Sequence, residues 1–197
     1  MIYSKLSNLI SSHIDIKEEE MDLIKSFFKY ESAAKGAFLI EIGCITDKVF
    51  FILSGYLRYF KMTDAGEEVV IHLYAPNHFA TSLNSFFLGK KSEEKLQAIT
   101  DCEYLYISRS DLEKLFSINQ AWQTFGRKMM ESFLIEKEER IIDQLSLTAH
   151  DRYCKLINNQ SDIIHNVPVK DIASFIGVQP ESLSRIRGSI ANNKHNK

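Results

Sequence analysis

With 197 residues, 45% of them hydrophobic, the chain can bury a substantial core as one large domain or as two small ones. This composition excludes a disordered protein, and no apolar run reaches the roughly 18 residues that a membrane span requires. The net charge of -2 is unevenly distributed, because residues 146–197 carry a net +3 and residues 1–145 a net -5. A mildly basic C-terminal part on an acidic body is typical of a DNA-reading module attached to another domain.

The N-terminal segment lacks the apolar stretch and the cleavage site of a secretory signal, so we expect a cytoplasmic protein with no membrane partner. The three cysteines, Cys44, Cys102 and Cys154, lie far apart and form no CxxC pair. Neither a disulfide framework nor a metal site is therefore predicted, and no cofactor is expected. The sequence motifs of common hydrolases, nucleotide-binding enzymes and metalloproteases are absent, which favours a protein that is not an enzyme.

The first thirty residues are predicted to be helical, because apolar side chains recur at roughly helical spacing after the acidic KEEE segment. Between Ala34 and Ser108 the pattern changes to short β-branched and aromatic runs separated by turns: AFLIEIG, KVFFILSG, YLRYFKM, EEVVIHLY and CEYLYIS. The sequence Asp64-Ala65-Gly66 predicts a hairpin turn between the third and fourth of these runs. Many short strands with regular turns indicate a barrel or a sandwich.

Two helices are predicted after the strands. The segment SDLEKLF indicates a short helix capped by Ser108 or Ser110, and a long helix follows from about Asn119 to Leu145. One side of the long helix is apolar for several turns, which favours a dimer seam; the alternative is that this side packs on its own chain. The candidate dimerisation residues are Trp122, Phe125, Met130, Phe133, Leu134 and Ile141.

The segment VPVKDIASFIGVQPESLSRIRGSI predicts a helix-turn-helix. Ala173 is small where two helices must cross closely, and Gly177 permits the tight turn. Leu183 and Ile186 place apolar groups on the inner side of the second helix. This second helix, from about Pro180 to Ile190, is the predicted DNA recognition helix.

The outer side of the recognition helix supplies the candidate DNA-reading residues. We expect Arg185 to pair with guanine and Glu181 to accept a hydrogen bond from cytosine in the major groove. The alternative for these two side chains is an ordinary surface ion pair across one helical turn. The predicted base-reading edge consists of Gln179, Glu181, Ser182, Ser184 and Arg185, and the predicted phosphate contacts are Ser182, Arg187, Lys170 and Lys194.

Together the strand-rich half, the long helix and the terminal ExxSR pattern held by Glu181, Ser184 and Arg185 resemble the Crp/Fnr family of transcription regulators. The resemblance implies an α+β fold with a cyclic-nucleotide-binding-type β-roll (a jelly roll) over residues 1–117. It also implies a dimerisation helix over 118–146 and a helix-turn-helix domain over 147–197. A homodimer on an inverted repeat in double-stranded DNA is implied, with TTGA-like half-sites as an expectation and RNA polymerase as a candidate further partner.

The sequence departs from the cyclic-nucleotide-binding pattern of that family in the region of the expected pocket. Members that bind cyclic nucleotides carry a Gly-Glu pair and an Arg-Ser pair, where this chain has Phe79-Ala80-Thr81-Ser82-Leu83 and Lys91-Ser92-Glu93-Glu94. Because Glu93 and Glu94 disfavour a phosphate, we expect an unknown small-molecule effector other than cyclic AMP. The candidate pocket residues are Phe79, Thr81, Ser82, Leu83, Ser92 and Lys95. Alternatively, Phe79, Phe86 and Phe87 fill the pocket and it serves only as scaffold.

A second departure is that about ten residues follow Arg187, too few for the β-hairpin wing usual in this family. No cysteine precedes Cys44, so an iron-sulfur cluster on N-terminal cysteines is not expected. The preferred function is therefore a dimeric, effector-controlled DNA-binding regulator. The alternative is a ligand-binding or interaction module whose helix-turn-helix no longer binds DNA specifically.

Overall fold

The computed structural model describes residues 2–15 and 18–195. The N-terminal segment forms two helices, α1 (Ser4–His13) and α2 (Glu18–Phe27). The chain takes up an extended conformation at Ile14 directly after α1. Both helices can therefore bury residues in one cluster, which contains Leu6, Ile10 and Ile24. The predicted helical character is correct, but β1 begins at Lys29, inside the segment predicted to be helical.

Two four-stranded antiparallel sheets follow, with the strand orders β1-β8-β3-β6 and β2-β7-β4-β5. The strands are β1 (Lys29–Ala33), β2 (Phe38–Ile40), β3 (Lys48–Ser54), β4 (Leu57–Met62), β5 (Glu68–Tyr74), β6 (Phe79–Ala80), β7 (Glu94–Ala98) and β8 (Cys102–Ser108). This arrangement is the predicted β-roll, and the turn at Asp64-Ala65-Gly66 joins β4 to β5 with Gly66 at φ 80°.

Alternate residues of β3 pack into two different hydrophobic cores. Phe50 and Ile52 point between the two sheets, whereas Phe51 and Leu53 pack beneath the N-terminal helices. Because both faces of β3 are covered, the strand is apolar almost throughout, as expected of a central strand. The outer face of the second sheet forms a third core with the C-terminal helices, to which Phe60 contributes.

The short helix α3 (Leu83–Leu88) lies between β6 and β7 of the β-roll. The β-roll is followed by α4 (Arg109–Ile118) and the long α5 (Gln120–Ser146). Ser108 caps α4 and Asn119 caps α5, each by accepting a hydrogen bond from a backbone N–H of the first turn. The predicted bounds of the long helix are therefore correct to within one residue. None of the described helices is long and apolar enough to cross a membrane.

Apolar side chains lie on two sides of α5. Trp122 and Phe125 are buried in the core that α1, α2 and β3 share, so the prediction that they form part of a dimer seam is wrong. They have no surface to offer to a second chain. Phe133 is half-buried, and Met130, Leu134 and Ile141 are exposed.

The C-terminal part is a helical bundle of α6 (Ala149–Asn159), α7 (Ser161–Asn166), α8 (Val169–Ile176) and α9 (Pro180–His195). We did not predict α6 and α7, although Thr148 followed three residues later by Asp151 is an N-cap signal, and the Thr148 hydroxyl does accept from the Asp151 N–H. The helix α9 extends five residues beyond the predicted end at Ile190. The bundle core includes Tyr153 and Leu183, and it is continuous with the outer face of β4 and β5.

Candidate nucleic-acid interface

The turn between α8 and α9 has the geometry that a helix-turn-helix requires. Gly177 ends α8 in the left-handed conformation with φ 76°, which a side chain disfavours. The Val178 N–H then donates to the Ala173 carbonyl at 2.9 Å. Ala173 and Leu183 are completely buried, so the two helices cross closely around them. The side of α9 that was predicted to face inward, with Leu183 and Ile186, packs against the core in the structure.

The predicted reading edge lies on the outside of α9. Gln179, Glu181, Ser184 and Arg185 are exposed, and Ser182 and Arg187 are half-buried. Lys170, on α8, is also exposed. Lys194 lies in α9, but its side chain falls outside the described residues. The structure thus brings the base-reading candidates together at the first two turns of one helix.

Glu181 and Arg185 do not pair with one another in the described part of the chain, where no ion pair within 4.0 Å involves either residue. The surface ion pair that sequence reasoning left open is therefore not formed. By contrast, the Ser184 hydroxyl donates to the Pro180 carbonyl at 3.1 Å and is already engaged within its own helix. The charged groups of the reading edge are available to a partner.

A buried charged cluster fixes α8 to the β-roll. Arg58 of β4 donates from Nη1 to Asp171 Oδ1 at 2.8 Å and to Glu68 Oε2 at 2.6 Å, and its Nη2 donates to Gln97 Oε1 at 2.7 Å. The side chains of Arg58 and Asp171 are only 10% and 5% exposed. We call these four residues the Arg58 cluster. It joins the β-roll to α8, the first helix of the helix-turn-helix.

The charges of the Arg58 cluster stabilise each other. Burial alone would lower the pKa of Arg58, but the hydrogen bonds and charges of Glu68 and Asp171 raise it above its usual value. The hydrogen bond from Arg58 in turn lowers the pKa of Glu68. All four side chains are therefore hydrogen-bonded in a way that favours the packing of α8 on the β-roll. Sequence reasoning missed this cluster because Arg58 and Asp171 are 113 residues apart.

Two further contacts tie α8 to its surroundings. The Ser174 hydroxyl accepts from the Val70 N–H of β5 at 2.9 Å. Arg140 of α5 donates to the carbonyls of Val70 and Phe175 at 3.3 and 3.2 Å, and its guanidinium lies over the Phe175 ring. The helices α8 and α5 and the strand β5 therefore meet at one junction.

The start of the recognition helix faces acidic groups of the β-roll. Lys170, Gln179 and Pro180 line one side of a cleft whose other side includes Glu67 and Glu68 of the β4–β5 hairpin. Phosphates that approach Lys170 would meet these carboxylates. The cleft therefore places one lysine next to two glutamates at the start of α9.

A buried Lys-His contact lies close to this junction. His72 of β5 is almost completely buried against Phe175 and Tyr74, and its Nδ1 is 3.2 Å from Lys137 Nζ of α5. Burial lowers the pKa of Lys137 to about 8, and burial together with the Lys137 charge lowers the pKa of His72 well below its usual value. The neutral imidazole therefore accepts a hydrogen bond at Nδ1 from the ammonium group of Lys137.

The lowered pKa of Lys137 predicts a pH-dependent stability. Well above pH 10.5 Lys137 is neutral in both the folded and the unfolded chain. Between pH 10.5 and 8 the lysine is protonated in the unfolded chain but still neutral in the folded chain, so a fall in pH favours unfolding. The free energy of unfolding, relative to that of Lys137→Met, should therefore rise by about 3 kcal/mol between pH 7.5 and 10.5. Urea denaturation at several pH values measures this difference. For the control Lys35→Met, at an exposed lysine, the difference in unfolding free energy from the wild type should not change with pH. A pH-independent difference would contradict the assignment.

The six candidate effector residues do not line a single pocket. Ser82 and Ser92 are buried, and the Ser92 hydroxyl donates to Ser82 Oγ at 3.2 Å. The Tyr59 hydroxyl donates to the Glu94 carboxylate at 3.0 Å nearby, and Lys95 lies over the Phe38 ring. Phe79, Thr81 and Leu83 instead line an apolar cavity. The described residues contain no group of three or more His, Cys, Asp or Glu side chains that could hold a metal ion.

Comparison with known proteins agrees with this architecture. Residues 30–119 match the cyclic nucleotide-binding domain family. The anaerobic regulatory protein of Bacillus subtilis is 24% identical over 195 residues, 93% of this chain and 79% of the relative. Among solved structures, FixK2 from Bradyrhizobium japonicum superposes with a TM-score of 0.72 at 17% identity, covering 85% of this chain and 86% of its own. A Crp/Fnr-family regulator from Eubacterium rectale gives 0.66 at 15% identity, covering 91% and 85%.

The fold and the interface define a class of protein in which a β-roll is joined by one long helix to a helix-turn-helix. In fold the chain is similar to the Crp/Fnr-family regulator from Eubacterium rectale, and residues 30–119 match the cyclic nucleotide-binding domain family, in line with the resemblance in sequence. The relative from Bacillus subtilis and the structure from Eubacterium rectale are both named as regulators.

Proposed function

We propose that this protein is a sequence-specific DNA-binding transcription regulator that acts as a homodimer on an inverted repeat. The observation that carries the proposal is the exposed, unpaired Glu181 and Arg185 at the start of α9, on a helix whose inner side is fixed by Ala173 and Leu183. Free charged groups at this position can donate to and accept from base edges in the major groove. The regulatory relatives support the same function.

Replacing Arg185 with alanine tests the DNA-binding proposal. Against a duplex selected from a random library with the wild-type protein, Arg185→Ala should weaken specific binding by about 1–3 kcal/mol, because a bidentate base contact is lost. Arg187→Ala, a matched loss of one arginine at a predicted phosphate contact, should weaken binding to all sequences equally and reduce the salt dependence. Fluorescence anisotropy at several salt concentrations measures both. Binding without sequence preference would instead favour the interaction-module alternative.

The exposed side of α5 supports the homodimer. Apolar residues that are 43% to 84% exposed recur along this side, so they have no partner within the described part of the chain. They are Met130, Leu134, Ile135, Ile141, Ile142 and Leu145. Two copies of this stripe, related by a two-fold axis, would bury it and set the two recognition helices on successive half-sites.

The contacts of α8 support the proposal that an effector controls DNA binding. Since the Arg58 cluster and Arg140 join α8 to the β-roll and to α5, a molecule that shifts α5 against the β-roll moves α8 and the recognition helix together. The effector changes DNA affinity only as far as it binds the two arrangements unequally.

We expect cyclic AMP and cyclic GMP not to be this effector. Ser82 and Ser92 are bonded to each other, and the Glu94 carboxylate accepts from Tyr59 in the same region, which leaves an acidic group where a phosphate would lie. Neither nucleotide should raise the melting temperature at millimolar concentration, because a ligand that binds only the folded state stabilises it measurably above its Kd. A concentration-dependent rise with either one would overturn this part of the proposal.

A further inference from the structure

An apolar cavity of about 310 Å³ lies between α3, α4 and α5, on the flank of the β-roll. Six of the thirteen phenylalanines of the chain line it: Phe79, Phe86, Phe87, Phe116, Phe125 and Phe133. The remaining lining is also apolar, apart from Thr81 and Arg127. A cavity of about 150 Å³ with apolar walls holds a benzene molecule, so this one has room for about two fused rings.

The cavity differs in chemistry from the polar pocket region of the β-roll. The buried hydroxyls of Ser82 and Ser92 are satisfied by each other and by Glu94, and neither residue lines the cavity. The wall instead presents aromatic faces and edges, which favour offset or edge-to-face contact with another aromatic ring. An ordinary polar metabolite would lose its hydration there without compensation.

Arg127 supplies the one cationic group of the lining. Its guanidinium is 61% exposed and pairs with Glu131, one turn along α5. An anionic group of a bound ligand could replace Glu131 as the ion-pair partner of Arg127. A planar carboxylate matches the two parallel N–H donors of the guanidinium. The lining therefore favours a molecule that is aromatic at one end and acidic at the other.

We propose that this cavity binds a small aromatic acid of about two rings, with its rings among the phenylalanines and its carboxylate at Arg127. The proposal rests on the proposed function, since such a molecule would be the effector that shifts α5 against the β-roll. Phe125, Gly126 and Phe133 of α5 line the cavity, so an occupant would contact α5 directly. The same helix contacts α8 through Arg140.

Calorimetric titration of the full-length protein with 1-naphthylacetate, in the absence of DNA, tests the site directly. Saturable binding is expected, and the uncharged analogue 2-(1-naphthyl)ethanol should bind about 10-fold more weakly because it lacks the charge-assisted contact. Arg127→Gln should remove this difference between the acid and the alcohol. Equal affinities for the acid and the alcohol in the wild type would overturn the role of Arg127.

Two matched leucine variants of α3 locate the site. Leu83→Trp fills the cavity and should weaken 1-naphthylacetate at least about 10-fold, whereas Leu88→Trp, on an exposed leucine outside the lining, should not. If Leu83→Trp does not fold, as judged by circular dichroism, Phe87→Ala provides the second test, because it removes one aromatic wall at the exposed edge and should also weaken binding. Equal binding by Leu83→Trp and Leu88→Trp, or no saturable binding by the wild type, would overturn the proposal.

DNA binding by the same samples is measured separately. A protein that binds its selected duplex but no naphthyl probe retains the proposed function and loses the aromatic-acid site. A protein that binds the probe but no DNA retains the site and loses the proposed function.

Discussion

Replacing Arg58 with alanine should lower the free energy of unfolding by about 3–5 kcal/mol. The substitution leaves the carboxylate of Asp171, 5% exposed, without its ion-pair partner between the β-roll and α8. Glu68 and Gln97 lose hydrogen bonds to the same guanidinium. Removal of one member of a buried charged group is costly because the others stay desolvated and unpaired. Urea denaturation at pH 7 measures the effect.

The matched control is Asp171→Ala. It leaves Arg58 with Glu68 and Gln97, so its cost should be smaller, about 1–2 kcal/mol, and the double variant should cost less than the sum of the two single ones. Hydrogen exchange at Val70 provides an independent measurement, because its N–H is protected by Ser174 only while α8 is docked. A loss below 1 kcal/mol for Arg58→Ala, with unchanged exchange at Val70, would show that the Arg58 cluster does not hold α8 in solution.

The Arg58 cluster also illustrates which contacts a sequence leaves hidden. Arg58 falls in the run YLRYFKM, where alternation assigns it only to a strand face, and Asp171 follows Lys170 in what appears as an ordinary polar helix start. Their contact depends on how the outer face of β4 and β5 docks on the bundle. No local pattern encodes that docking, so the pair could not be predicted.

Elements with strong local signals were predicted correctly. The turns at Gly66 and Gly177 each depend on a glycine at one backbone position, and the helix starts near Ser108 and Asn119 depend on a polar residue there; that Ser108 rather than Ser110 caps α4 comes from the structure. The strands β1 and β7 were missed because their sequences, KYESA and EKLQA, contain charged residues. The pairing of β1 with β8, and of β7 with β2 and β4, comes from neighbours that are distant in sequence.

The apolar pattern of α5 was recognised, but its division between two surfaces was not. Trp122 and Phe125 near the start of the helix face the chain's own core, and Leu134 and Ile141 further along are exposed. Periodicity alone cannot separate these sides, because both repeat at helical spacing. The separation depends on where α1 and α2 pack, and the placement of those helices is a tertiary feature.

Introducing charge on the exposed side of α5 should dissociate the proposed homodimer. Leu134 and Ile141 are 68% and 61% exposed, and each would be buried in both copies of a two-fold seam. In a dimer of the double variant Leu134→Glu/Ile141→Glu, the two chains together lose four apolar side chains from the seam and place four carboxylates there. The dimer dissociation constant should therefore rise at least about 1,000-fold, or about 4 kcal/mol. Sedimentation equilibrium measures it.

A control with the same chemical change separates this effect from a general loss of solubility. Ile42→Glu/Ile45→Glu places two carboxylates at exposed isoleucines between β2 and β3, away from α5, and should leave the dimer intact. The α5 variant should still unfold cooperatively as a folded monomer, because its substituted side chains are exposed within their own chain. Its DNA affinity should fall to that of a single half-site, since two recognition helices are no longer held one helical turn of DNA apart. A dimer that persists in the α5 variant would place the seam elsewhere and leave the exposed stripe of α5 for a different partner.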